Sequence, residues 1–335
     1  MNLKAPDFGV GVQTPLEEPL RCFIHMTRSC DGARPLPRAT IAGVTAREQR
    51  DIERTAMARY AELPNLKIMA ANGVEYAYRE TGEGSLPLVM LMHFRGNLDS
   101  WDPALVDALS QTRKVITFDN IGVGGTSGQP SNSMRKMAHG ALAFISAMGY
   151  EKVDLLGFSI GSFVAQEISL IRPDSVRKVV LASSAPQGAP GMHGWEKWVM
   201  DAVGKPQTSA EEYVSVFFAK SESSHKAGMQ ALGRMHARTD DRDKDVTWEA
   251  RIQQYDAVCE WGVPNHALLE RVAAIEAPVF IANGDSDPMI TPQYSHLLRG
   301  LIPQSTIKIY DDSAHGFLFQ YHDEFAADVS NFLAE

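Results

Sequence analysis

A serine between two glycines, a pair of aspartates after one apolar run and a histidine after another are the residues of this chain best suited to joint chemistry. Gly157-Phe158-Ser159-Ile160-Gly161 follows an apolar run at 153–156 and precedes a helical pattern at 162–171, so it reads as strand, sharp turn and helix. So tight a turn strains the backbone at the serine, needs neighbours without side chains, and presents the hydroxyl at the C-terminal edge of a sheet. The helix behind it contributes the positive end of its dipole, and the Ile160 amide points to where an oxyanion would develop. A serine hydroxyl attacks only when a base takes its proton, and the base needs a carboxylate to fix its tautomer. Both follow in chain order. Asp285 and Asp287 close the apolar run 278–284, and His315 lies in the loop after the run 306–310. Asp287 is the favoured acid and Asp285 the reserve. Ser159, Asp287 and His315 thus form a candidate catalytic triad for attack on a carbonyl carbon.

These residues need a sheet to carry them. From Leu66 onward, short β-branched runs alternate with amphipathic stretches, the pattern of a mostly parallel sheet flanked by helices. The spacing predicts strands at 66–71, 74–80, 87–92, 114–118, 153–158, 177–183, 278–283 and 305–310, with helices at 102–110, 133–148, 160–172, 291–300 and 322–334. Residues 187–276 break this rhythm and read as a helical insertion. Its aromatics, among them Trp195, Trp198, Phe217, Phe218, Trp248, Tyr255 and Trp261, either form the insertion's own core or line a substrate pocket. Residues 1–62 read as a proline-rich arm and a helix opened by the capping box Thr45-Ala-Arg-Glu48 and ended before Pro64. The core is then 63–186 with 277–335.

Composition narrows the function. The chain has 335 residues, 44% of them hydrophobic and 22% charged, which excludes a disordered or fibrous protein. Lys and Arg number 32 against 41 Asp and Glu, a net charge of −9 without a long basic run, which argues against nucleic acid as a partner. That balance and the aromatic insertion point to a neutral or apolar small-molecule substrate. Cys22, Cys30 and Cys259 have no metal-like spacing, and Gly122-Val-Gly124-Gly125 lacks the full dinucleotide-binding form, so no metal or organic cofactor is expected. The N-terminus lacks a secretory pattern and no apolar run approaches the roughly 20 residues of a bilayer crossing, so the expected location is cytoplasmic.

With the elbow Gly157–Gly161, the chain resembles the α/β-hydrolase superfamily in its lid-bearing branch of esterases, lactonases, perhydrolases and carbon–carbon bond hydrolases. The resemblance covers Leu66 to the C-terminus and rests also on His93-Phe94-Arg95-Gly96, on Phe118-Asp119 through Gly124, on Gly284 through Asp287, and on His315-Gly316. It implies an α/β-hydrolase fold with an eight-stranded sheet and a helical cap, and a serine hydrolase working through an acyl-enzyme. By position it assigns the second oxyanion donor to the amide of Arg95, with Phe94 the alternative. Asp119 is then a loop anchor and His93 packs beneath the oxyanion loop. Phe94, Phe158, Trp195 and Trp198 are the candidate substrate contacts. Perhydrolysis and carbon–carbon cleavage use the same triad, and a non-catalytic receptor would keep only the pocket.

Overall fold

The computed structural model describes residues 59–335 apart from His193. Eight strands run β1 Leu66–Met69, β2 Glu75–Thr81, β3 Leu88–Leu91, β4 Val115–Phe118, β5 Val153–Phe158, β6 Val176–Ala182, β7 Val279–Gly284 and β8 Ser305–Tyr310. The helices are α1 Pro103–Ser110, α2 Met134–Ala147, α3 Ile160–Ile171, α4 Lys197–Val203, α5 Ala210–Phe217, α6 Glu222–Met235, α7 Trp248–Trp261, α8 His266–Glu270, α9 Pro292–Leu301, α10 Phe317–Gln320 and α11 His322–Ala334. The strands form one sheet in the order β1-β2-β4-β3-β5-β6-β7-β8. Its first two pairings are antiparallel, and every pairing from β4 through β8 is parallel. This is the expected α/β-hydrolase architecture.

Burial explains why these runs are strands. β3, β4, β5 and β7 are buried at every position, as strands covered by helices on both faces must be, and their sequences are near-continuous apolar runs. The chain goes from β3 outward to β4 and returns across β3 to β5, so strand order reverses between β3 and β5. A crevice opens at the C-terminal ends of strands on either side of such a reversal. The residues after β3, His93 to Gly96, and Ser159 after β5 flank it, and the loops after β7 and β8 reach it from the other side.

The described helices between β6 and β7, α4 to α8, occupy the segment expected to be an insertion, and they fall in one compact unit with the sheet. A half-buried ion pair fastens them: Arg234 of α6 donates through Nη2 to the buried Asp102 at 2.6 Å, while Asp102 also caps α1 through the Ala104 amide. The loop after α6 is held by Asp99, which pairs with the buried Arg79 at 2.6 Å and accepts the Asp243 amide at 2.9 Å.

The helix expected to end at Glu62 survives among the described residues as a single 3-10 turn, Tyr60–Glu62. The arm, the capping box at Thr45, Cys22 and Cys30 lie outside the described residues. No helix among the described residues is long and apolar enough to cross a membrane.

Candidate active site

Ser159 joins β5 directly to α3 with φ 56° and ψ −123°, a left-handed conformation that costs a non-glycine residue about 1–3 kcal/mol. The neighbouring glycines make the turn sterically feasible. A Cβ on Gly157 would strike the carbonyl of Gly161, and one on Gly161 would strike the carbonyl of Leu91 in β3. The Ser159 amide donates to Ala182 of β6 at 3.0 Å, and its carbonyl accepts from both the amide and the hydroxyl of Ser162. These bonds hold the strained residue in place from both sides.

The buried hydroxyl of Ser159 lies 2.9 Å from Nε2 of His315, whose Nδ1 lies 2.8 Å from Oδ2 of Asp287. Because a carboxylate only accepts, Nδ1 carries the proton and Nε2 presents its lone pair to the serine hydroxyl. The other oxygen of Asp287 accepts the amides of Met289 at 2.8 Å and Ile290 at 3.0 Å, which fixes the carboxylate plane. Asp285 does not reach the histidine. Its exposed carboxylate accepts the amides of Asp312 and Ser313 and so braces the turn that leads to His315.

Ser183 and Asn283, which the sequence did not single out, support this line from behind. Ser183 Oγ sits 2.9 Å from Asn283 Oδ1 and 3.1 Å from the His315 carbonyl, while Asn283 Nδ2 donates to Ile290 at 2.8 Å. One buried amide thereby links the acid loop to the histidine loop. Its position at the C-terminal end of β7, inside an otherwise apolar run, is the signal that could have found it.

The Arg95 amide, expected as the second oxyanion donor, is engaged elsewhere. The Arg95 amide donates to Oε1 of Gln254 in α7 at 2.8 Å, so its proton is already committed. Arg95 has φ 62°, and its guanidinium donates to the carbonyls of Val203, Lys205 and Pro206 at and beyond the end of α4. It binds the loop to the insertion. No hydrogen bond joins the amide of Phe94 or of Ile160 to another described residue, so these two amides remain available to a developing charge.

His93 is buried beneath this loop, as expected, with Nδ1 2.7 Å from the Phe94 carbonyl and its ring edge-on to Phe158 and Phe217. Burial, outweighing the Phe94 carbonyl and aided by the charges of His315 and Arg95, pushes its pKa down to about 4. Asp119, the expected anchor, accepts the amides of Leu98 at 2.9 Å and Gly125 at 3.1 Å, and the Asp243 carboxylate lies beside it at the same Leu98 amide. Burial first, and then the Asp243 carboxylate, hold its carboxyl well above the usual range.

A cavity of about 780 Å³ opens onto Ser159 and His315, with Phe94, Tyr213, Phe217 and Trp248 in its wall. Three of the expected substrate contacts lie elsewhere. Phe158 is fully buried behind the triad, its ring 5.1 Å from that of His315, because it is an inward residue of β5. Trp195 stands behind Phe94, 5.4 Å from it and 5.5 Å from Tyr255. Trp198 lies on the surface with its indole nitrogen donating to Glu196. The insertion aromatics therefore divide: Phe217 and Trp248 face the cavity, while Phe218 and Trp261 are core, the latter stacked on Phe163 at 5.0 Å. The cavity wall also carries the charged residues Arg95, Asp99, Arg242, Asp245 and Arg251.

Residues 87–320 match the family described as alpha/beta hydrolase fold. The chain is 36% identical to an alpha/beta hydrolase fold protein from Chitinophaga pinensis, over 82% of this chain and 99% of that one, with a TM-score of 0.78. It is 26% identical to the pimeloyl-[acyl-carrier protein] methyl ester esterase of Aliivibrio salmonicida (strain LFI1238), over 76% of this chain and 95% of the relative. The enol-lactonase from Burkholderia xenovorans LB400 shares the fold at 20% identity, covering 81% of this chain and all (100%) of that one, with a TM-score of 0.63. With the family matched over most of its length, the chain belongs to the alpha/beta hydrolase fold family.

Proposed function

We propose that this protein is a serine hydrolase that cleaves a small-molecule carboxylic ester or related acyl bond. The observation that carries this reading is the unbroken line from Asp287 through His315 to Ser159, at 2.8 and 2.9 Å, ending on a serine held at φ 56°. Ser159 Oγ attacks the acyl carbon while His315 Nε2 takes its proton, and Asp287 stabilises the imidazolium that forms. The oxyanion is received by the amides of Ile160, at the N-terminus of α3, and Phe94. Collapse of the tetrahedral species expels the leaving group, which takes the proton from His315. Water, deprotonated by His315, then attacks the acyl-enzyme, releases the acid and restores Ser159.

The insertion, residues 187–276, serves as the cap. Its helices wall the cavity and so select the acyl chain and leaving group. The methyl ester esterase among the relatives supports the choice of bond. A protein that only binds its ligand has no need of a strained serine in register with a histidine and an oriented carboxylate. Steady-state hydrolysis of 4-nitrophenyl butyrate tests the proposal: Ser159→Ala and His315→Ala lose about a thousandfold or more in kcat. Parent-like turnover by Ser159→Ala overturns it.

A further inference from the structure

Arg251, on the first turn of α7, is buried to 8% exposure in the wall of the cavity that opens onto Ser159. Among the described residues its guanidinium has no carboxylate within ion-pair distance and no hydrogen-bond acceptor, and its Nε is wholly shielded without a partner. Of the neighbouring charges, Asp99 is spent on Arg79, Arg242 leans toward Asp99, Arg95 is spent on the carbonyls at and beyond the end of α4, and the exposed Asp245 of the cavity wall makes no ion pair with Arg251. What surrounds the guanidinium is aromatic, with ring centres of Trp248, Tyr255 and Phe94 at 4.8, 5.1 and 5.9 Å.

Such a cage attracts a cation less strongly than burying an unpaired ion costs. It does hold the guanidinium plane rigid, and a rigid fork of donors matches the two oxygens of a carboxylate. Resting on the reading of the site as a serine hydrolase, we propose that Arg251 receives a carboxylate of the substrate, so that the enzyme acts on acyl compounds bearing a free acid, such as half-esters of dicarboxylic acids. The acid sits in the acyl part or in the leaving group, and Arg251 determines specificity by pairing with it. This replaces the neutral or apolar substrate that overall charge suggests.

The test compares the parent with Arg251→Met, which keeps the stem and removes the charge. One arm carries the acid in the acyl part, 4-nitrophenyl hydrogen glutarate against 4-nitrophenyl pentanoate. The other carries it in the leaving group, 4-acetoxybenzoate against 4-methylphenyl acetate. Intrinsic reactivity cancels in the anionic-to-neutral ratio of kcat/KM taken between parent and variant. That ratio falls by about tenfold or more in one arm, chiefly through KM. Equal ratios in both arms overturn the proposal, and the arm that responds locates the acid. A second readout needs no turnover: monomethyl glutarate binds Ser159→Ala about tenfold or more tightly than it binds Ser159→Ala carrying Arg251→Met. Equal binding overturns the Arg251 assignment even if hydrolysis is intact, whereas anion-dependent binding by a parent that hydrolyses none of the esters overturns the hydrolase reading alone.

Discussion

The backbone amide of Arg95 donates to the side-chain oxygen of Gln254 at 2.8 Å, joining the loop after β3 to helix α7 across 159 residues of sequence. With the Arg95 amide engaged, Phe94 is the residue of that loop left to face a developing oxyanion. Gln254→Ala removes the acceptor and lets a left-handed residue relax. The expected result is a fall of about tenfold in kcat and a loss of about 1–2 kcal/mol of stability, read by ester hydrolysis and denaturant unfolding. An unchanged kcat would mean that the loop holds its shape without α7.

The two acids after β7 separate by the partners of their oxygens. Asp287 orients His315, so Asp287→Asn presents the wrong tautomer and lowers kcat by about 10⁴. Asp285 accepts only the Asp312 and Ser313 amides and the Ser286 hydroxyl, so Asp285→Asn keeps kcat within about threefold and is read in stability instead. Equal kinetic losses would contradict this division.

His93 makes stability fall on the acid side. Its pKa in the folded protein is about 4, against 6.5 for the free side chain, so between those values the unfolded chain binds the extra proton. The contribution is fully present above pH 6.5 and is lost as pH falls toward 4, on the order of 3 kcal/mol at most. Denaturant unfolding of the parent and of His93→Gln at pH 7 and at about pH 4.5 measures it. The variant should show the shallower loss.

Asp119 acts in the opposite sense. Burial and the Asp243 carboxylate raise its pKa when folded, so its contribution is present at low pH and is lost as pH rises through that raised value. Asp119→Asn keeps a neutral partner for Asp243 and should flatten the fall in stability that sets in as pH rises above the ordinary aspartate value of 3.8, as followed by the denaturant midpoint.

What could be read in the sequence was local. β5, with its fully buried run and a glycine-flanked serine at its end, declares strand, turn and nucleophile within ten residues, and the acid and histidine each follow an apolar strand run. The choice between Phe94 and Arg95 depended on a backbone angle and on a glutamine far along the chain, neither of which leaves a pattern in the loop itself. The contact of Gln254 with Arg95 and the role proposed for Arg251 were hidden for a related reason. Helix α7 does not sort its apolar residues onto one face, since it packs on the oxyanion loop with one side and borders the cavity with another. Aromatic composition likewise marked the insertion as important without distinguishing Trp248, at the cavity, from Trp198, on the surface.

Activation of Ser159 as a nucleophile is read out by the intact mass of the protein after exposure to a fluorophosphonate. The expected result is a single adduct on the parent and none on Ser159→Ala. A folded parent that gains no adduct, or a Ser159→Ala variant that gains the same one, would contradict it.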